Sequence, residues 1–282
     1  MDIFYSTYSL TPLKRANRMS SLDMKEGVYL KASHQGGNVF ADYFPHLPLG
    51  DRSVDQFLTN FKNQAEEYDR KVLHLLLKDA DYQNKSSEVF TNHQLWTGSE
   101  PIEAQVLKYK LQSPLDAVFM EALKRKLKVR LDGNGMFNRA SFLTFLASIP
   151  SEFHQYIEYI EDPLYENDWS NLPIATAQDY IASNECDFYI YKPNCEFYPK
   201  NQKQIIFSAY LGSDLGNWHT YCEMMDIADL SLTHGIVARG FYKEERGLFD
   251  GHYQEGIRPV LKVVKNIYQE LHLRKWKHLC TI

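Results

Sequence analysis

Cysteine is scarce in this chain. There are four in 282 residues, Cys186, Cys195, Cys222 and Cys280, and no CxxC spacing among them. A disulfide framework and a structural zinc are therefore not expected, and free thiols in a reducing compartment are. No apolar run approaches the roughly 18 residues that a membrane span needs. The N-terminus lacks a basic segment followed by a long apolar stretch, so no secretory signal is expected and the expected location is the cytoplasm. Excess basic charge is missing too: 31 Lys+Arg against 36 Asp+Glu give −5, which argues against a nucleic-acid partner held by phosphate neutralisation. The basic clusters at 124–128 and 274–277 read as solvated helix faces. There is no internal repeat and no low-complexity segment. The expectation is a soluble protein that handles a small molecule, with neither membrane nor nucleic acid as partner; a monomer is the expected state, though nothing in the sequence fixes it.

Residues 1–50 read as strands and turns, over 3–8, 27–32 and 39–43. A long amphipathic helix is expected over 51–78. Ser53 is its N-cap, and Phe57, Phe61, Tyr68, Val72 and Leu76 recur at helical spacing. The polar residues 82–88 break that pattern. From about residue 104, strand and helix alternate: strands over 106–110, 129–131, 156–160, 188–191 and 205–208, helices over 114–126, 139–146 and 218–228. Such alternation implies a parallel sheet with crossover helices. The fold class is therefore α/β, a modified (β/α) barrel with an N-terminal α+β capping domain. The cap is expected over 1–92 and the barrel over 93–282. A helix read over 255–276 is expected to pack back on the cap. The barrel portion is short for eight full units, so some helices should be shrunken or missing. His219 and His234 read as core or surface histidines.

Charged groups end the short apolar runs at near-regular intervals. Lys108 and Lys110 stand in Val-Leu-Lys-Tyr-Lys-Leu, Asp132 in Arg-Leu-Asp-Gly-Asn-Gly, Glu161 in Tyr-Ile-Glu-Asp-Pro and Lys192 in Tyr-Lys-Pro-Asn. The steps from Lys110 to Asp132, Glu161 and Lys192 are 22, 29 and 31 residues, about one βα unit each. This rhythm displays the groups together at the C-terminal ends of successive parallel strands, where such a barrel keeps its active site. Two lysines, two carboxylates and a further lysine on one rim describe a proton-transfer site with a divalent metal.

The order of small α+β module, KxK, RxDxN, E-[ED]-P and KP resembles the enolase superfamily, and within it the o-succinylbenzoate synthase branch. Tyr-Phe-Pro-His-Leu-Pro-Leu-Gly-Asp (43–51) is similar to a His-Pro-x-x-Glu-Leu-Gly-Asp stretch of that branch. Ser-Ala-Tyr-Leu-Gly-Ser-Asp-Leu-Gly (208–216) is similar to its Ser-Ser-x-x-x-Ser-x-x-Gly segment. The resemblance implies a hydro-lyase that dehydrates 2-succinyl-6-hydroxy-2,4-cyclohexadiene-1-carboxylate to o-succinylbenzoate in menaquinone biosynthesis. It implies Mg²⁺ as cofactor, held by Asp132 and Glu161, and a carboxylate substrate. Lys110 takes the place of the family's base, Lys108 tunes it and touches the substrate carboxylate, and Lys192 stabilises an enediolate. Asn134, Ser208, Gly212 and Ser213 fall at substrate-binding positions.

The match departs from the pattern at the third metal ligand. The family's aspartate closes the next strand, whereas Pro-Ile-Ala-Thr-Ala-Gln-Asp (173–179) puts Ala177 there. Asp179, two residues on, keeps the side-chain parity of a strand and is expected either to be that ligand or to cap a following turn. Two other activities stay open: an N-acylamino acid racemase or dipeptide epimerase, which would use Lys110 and Lys192 as opposed bases, and a non-catalytic barrel that binds a small acid.

Overall fold

The computed structural model describes the chain except residues 15–21, 65, 97–99, 112–114, 167–168, 180–185, 200–203 and 238. Three antiparallel strands open it: β1 (Asp2–Leu10), β2 (Lys25–His34) and β3 (Gly37–Tyr43). A fourth, β13 (Lys277–Thr281), comes from the far end of the chain and pairs antiparallel with β1. Helices α1 (Val54–Asn60) and α2 (Glu67–Tyr82) follow β3. Ser53 caps α1 through a reciprocal bond with Gln56, as its residue type predicts.

The single helix expected over 51–78 is two. After α1 a 3₁₀ turn over Phe61–Asn63 ends at Gln64, whose φ of 47° is left-handed and cannot continue an α-helix. Phe57 and Phe61 are nonetheless both buried, so the apolar spacing survives the break. The helix expected over 255–276 is also shorter. A hairpin, β11 (Phe249–His252) and β12 (Gly256–Pro259), takes its first residues, and α7 (Leu261–Leu273) starts only beyond Pro259.

Seven parallel strands form the larger sheet: β4 (Gln94–Leu95), β5 (Val106–Lys110), β6 (Lys128–Asp132), β7 (Ile157–Glu161), β8 (Thr176–Asp179), β9 (Phe188–Tyr191) and β10 (Ile205–Phe207). They neighbour one another in chain order. Two residues close the curl between its edges. His234 bridges Asn92 beside β4, and Gly235 bridges Ser208 beside β10, both parallel. The His93 N–H donates to His234 O (2.8 Å), and the Gly235 N–H to Phe207 O (2.7 Å). The eighth barrel position is thus held by a dipeptide.

Helices α3 (Asp116–Arg125), α4 (Arg139–Ser148) and the one-turn α5 (Ser151–His154) cover one side. Val118 and Phe142 pack there on Leu107, Val129 and Leu131. Among the described residues no helix lies between β7 and β10, as the shortness of the barrel portion suggested. The outer faces of β9 and β10 are covered instead by α2 and by α6 (Asp214–Ile227), in one shared core. A buried ion pair ties these elements: Lys71 of α2 donates to both Glu223 oxygens of α6 (2.7 Å), and the Tyr191 hydroxyl of β9 donates to Glu223 Oε1 (2.5 Å). Inside the curl, Tyr159, Ala177, Ile190 and Ile206 form a small apolar floor.

Candidate active site

Strand register sets the site. Lys110 pairs with Asp132, Asp132 with Glu161, and Glu161 with Ala177, so these four form one row across the sheet. Directly opposed residues of neighbouring strands share a face. Lys108 lies one pleat below Lys110. Asp179, paired with Ile190, lies one pleat above Ala177. Lys192, two residues past Ile190, follows β9 at its C-terminal end.

The side chains converge. Lys108 Nζ donates to both Glu161 oxygens (2.6 and 2.7 Å) and lies 3.3 Å from Asp132 Oδ2. Lys110 Nζ stands 3.7 Å from the same Asp132 oxygen. Asn134 donates to Asp132 Oδ1 (2.7 Å). Lys192 Nζ donates to Asp179 Oδ2 (2.5 Å). Asp132 and Glu161 thus already share one cation, the Lys108 ammonium.

Sequence reasoning left out Asp162. Strict alternation would turn it away from Glu161, but its φ of 42° is left-handed. Its carboxylate accepts the Asp179 N–H (3.0 Å). Glu161, Asp162 and Asp179 each bring an oxygen within 4.8 Å of the others, a set that Asp132 does not join. The loop after Asp132 is pinned against this set. The Gly133 N–H donates to Glu161 O (2.8 Å) and the Gly135 N–H to Asp162 O (2.7 Å). A Cβ on Gly133 would stand 2.9 Å from Asp162 O, so only glycine permits the approach.

The electrostatics sort the groups. Burial lowers the proton affinity of Lys110, with Lys108 and Lys192 acting the same way against the pull of Asp132. Burial also disfavours charge on Lys108 and Lys192, but Glu161 with Asp132, and Asp179, respectively outweigh it and hold both firmly protonated. Burial pushes Glu161 up to about 7 despite Lys108, with Asp132 and Asp179 adding to the push. Asp162 is raised well above the ordinary range by burial and by Asp179 and Glu161. Asp179 Oδ1 is buried with no hydrogen-bond partner among the described residues. Three crowded carboxylates and one unpartnered oxygen form a hard-oxygen donor set short of positive charge, which suits a small divalent cation.

The remaining expected residues lie close by with other duties. Ser208 donates its backbone N–H to Tyr191 O (2.9 Å) at the barrel seam. The Ser213 hydroxyl caps α6 and donates to Asp42 Oδ2 of β3 (2.8 Å). Gly212 comes so near this contact that a Cβ would sit 3.2 Å from Asp42 Oδ2. These two residues dock the antiparallel sheet onto the barrel. His219 and His234 are fully buried, His219 bonded to Asp79 and His234 accepting the Phe207 N–H. Among the described residues no helix is long and apolar enough to cross a membrane.

No family model matches the chain. A curated relative, the o-succinylbenzoate synthase of Bdellovibrio bacteriovorus, is 26% identical over 192 residues. The match spans 58% of this chain and 56% of that protein, so it reaches little more than half the relative's length. Among solved structures, the o-succinylbenzoate synthase of Thermosynechococcus elongatus, complexed with Mg in the active site, is similar with a TM-score of 0.68 at 14% identity, covering 96% of this chain and 100% of that one. An enolase family member of Agrobacterium tumefaciens with homology to dipeptide epimerases, holding sodium and L-Ala-L-Glu, reaches 0.62 at 10% identity, covering 92% and 97%. The barrel with its antiparallel sheet therefore has the fold of the enolase superfamily, as the sequence motifs implied.

Proposed function

We propose, from the enolase-superfamily fold as premise, that this chain is a Mg²⁺-dependent hydro-lyase that dehydrates 2-succinyl-6-hydroxy-2,4-cyclohexadiene-1-carboxylate to o-succinylbenzoate, a step of menaquinone synthesis. The observation on which this rests is Lys110, a lysine 22% exposed whose proton affinity is depressed, standing 3.7 Å from Asp132 in the row of carboxylates. Similarity to the Bdellovibrio synthase supports the choice of substrate.

Glu161 and Asp179, with Asp132 or Asp162 as third carboxylate, are the residues to hold the metal. When bound, Mg²⁺ supplies positive charge beside the carboxylate of the substrate, where negative charge builds up as the alpha proton leaves. Lys110, neutral, accepts that proton at Nζ and then returns a proton to the departing hydroxide on the same face. Lys108 stays charged and orients the substrate carboxylate beside Glu161. Lys192, also charged, faces the developing enediolate from β9. Asn134 holds Asp132 in place.

A second reading is favoured by one observation: Lys110 ends β5 and Lys192 follows β9, close enough for Lys192 to lower the proton affinity of Lys110. That pair suits an epimerase of dipeptides or N-acylamino acids, with one lysine on each face of the alpha carbon. The firm protonation of Lys192 by Asp179 favours the dehydratase.

The test is an ultraviolet assay of o-succinylbenzoate formation with and without Mg²⁺ and with Lys110→Ala. Product lost in the variant and in chelator supports the lyase. Solvent deuterium entering an N-succinylamino acid or a dipeptide, with no dehydration, selects the epimerase. Silence in both, with the fold intact, leaves a barrel that only binds a small acid.

A further inference from the structure

We infer that Tyr210 is a positioning residue for Lys192, and that the N-terminal module holds it in that role. The ring of Tyr210 lies 5.5 Å from Lys192 Nζ, within the range of an ammonium–ring attraction. Its hydroxyl donates to Asp51 Oδ2 (2.6 Å). The same oxygen accepts the His46 N–H (2.7 Å). His46 Nε2 lies 2.6 Å from Tyr210 O; a carbonyl can only accept, so this nitrogen carries the proton. The His46 ring meets the Tyr210 ring edge-on at 4.6 Å. Asp51 and His46, five positions apart between β3 and α1, thus grip both ends of one tyrosine of the barrel rim.

The backbone of Lys192 is fixed from elsewhere, since its N–H donates to Glu196 Oε1 (2.9 Å). The four-carbon stem beyond it carries the ammonium to two contacts. Asp179 fixes the ammonium from one side and the Tyr210 ring from another. The module thus reaches Lys192 through the Tyr210 ring, the second of the two contacts on its ammonium. The His46–Asp51 stretch, part of the 43–51 segment singled out in the sequence, directs these two side chains at Tyr210.

This rests on Lys192 as a site residue, and the experiment separates it from the proposed reaction. Lysine acetylation rates with acetic anhydride are measured by peptide mass spectrometry on the folded parent, Tyr210→Phe, Tyr210→Leu and Asp51→Ala. Tyr210→Leu removes the ring face and should raise the Lys192 rate about two- to five-fold, the size of an ammonium–ring contact. Lys108 should stay at the parent rate. Tyr210→Phe keeps the ring and its His46 contacts, loses one hydrogen bond and should stay near the parent, while Asp51→Ala, which removes the acceptor of both the Tyr210 hydroxyl and the His46 N–H, should move toward Tyr210→Leu. In the dehydratase assay Tyr210→Leu should lower kcat with KM nearly constant, and Tyr210→Phe should recover most of it. An unchanged Lys192 rate in Tyr210→Leu overturns the inference. So does a parallel rise at Lys108, which would mean general loosening, or a Phe variant that behaves like Leu. If the parent shows no dehydratase activity, the proposed reaction fails and the acetylation rates still decide the role of Tyr210.

Discussion

Lys110 and Asp132 stand opposite each other across β5 and β6, yet their charged atoms are 3.7 Å apart, outside hydrogen-bond range. Asp132 is committed elsewhere, to Asn134 through one oxygen and to Lys108 through the other. Lys110 thus keeps the cost of burial without the full return of an ion pair, the condition that leaves a lysine able to lose its proton. Lys110→Ala should lower kcat by about 10²–10⁴-fold, the usual share of a general acid–base group. The parent's rate should rise with pH along a limb placed below the ordinary lysine range, because only the neutral amine accepts a proton. A pH–rate profile with that limb absent in a residually active Lys110→Arg variant would locate the base.

Lys108 is a different lysine. It neutralises Asp132 and Glu161 together, so Lys108→Met leaves two buried carboxylates facing each other. Removing one partner of a buried ion pair costs about 3–5 kcal/mol. The expected result is a urea midpoint well below the parent's in chelator, partly restored by millimolar Mg²⁺. A midpoint equal to the parent's in chelator would mean that Glu161 takes up a proton instead.

Asp179 offers the site a buried oxygen that has no hydrogen-bond partner among the described residues. Mg²⁺ should raise the melting temperature of the parent, and Asp179→Asn should lose most of that rise together with the heat of binding in calorimetry. A Mg²⁺ titration of Asp179→Asn that overlays the parent's removes the residue from the ligand set and leaves it as the partner of Lys192.

His46 gives a signed pH dependence. Burial lowers its pKa to about 4 from an ordinary 6.5, with Lys192 adding to the effect. Between these values the unfolded chain holds the proton and the fold does not, so stability present above about pH 6.5 drains away as the pH falls to 4. The full difference is about 3 kcal/mol. Asp42, raised to about 6 by burial, contributes in the opposite sense, so the parent curve mixes the two. Comparison with His46→Asn by urea unfolding at several pH values separates them: the variant should lose less stability than the parent from pH 6.5 to 4.5.

Much of this site is legible in the sequence because parallel strands are short and end where the apolar run ends. Lys110, Asp132 and Glu161 each close such a run, and each is the last residue of its strand. Asp179 could be reached by parity alone. Asp162 could not, since alternation points it away and only a left-handed φ returns it. The dipeptide at His234 carries no periodicity from which a strand could be read. The break at Gln64 is silent for another reason: Phe57 and Phe61 are buried on the same core whether or not the helix continues. The hairpin ahead of α7 is marked by Pro259, a stop that the partial periodicity of Val260, Val263 and Val264 obscured.

Gly133 joins fold and site. Its N–H donates to Glu161 O, and a methyl group there would stand 2.9 Å from Asp162 O, 3.2 Å from Glu161 O and 3.2 Å from the Cα of Pro163. All three are backbone atoms, so the strain cannot be relieved by turning a side chain. Gly133→Ala should therefore push the loop that bears Asp132 and Asn134 away from the turn that bears Glu161 and Asp162. Overpacking of this kind costs about 1–3 kcal/mol, which a fold of this size tolerates. The effect on chemistry should be larger than the effect on stability, because the proposed metal ligands and Asp132, beside Lys110, lie on the two segments that Gly133 holds together. The expected outcome is a folded protein with a modestly lower urea midpoint, weakened Mg²⁺ binding by calorimetry and a kcat reduced far more than the midpoint suggests. A Gly133→Ala variant with parental Mg²⁺ affinity and turnover would show that the two carboxylate loops do not need this contact to hold their spacing.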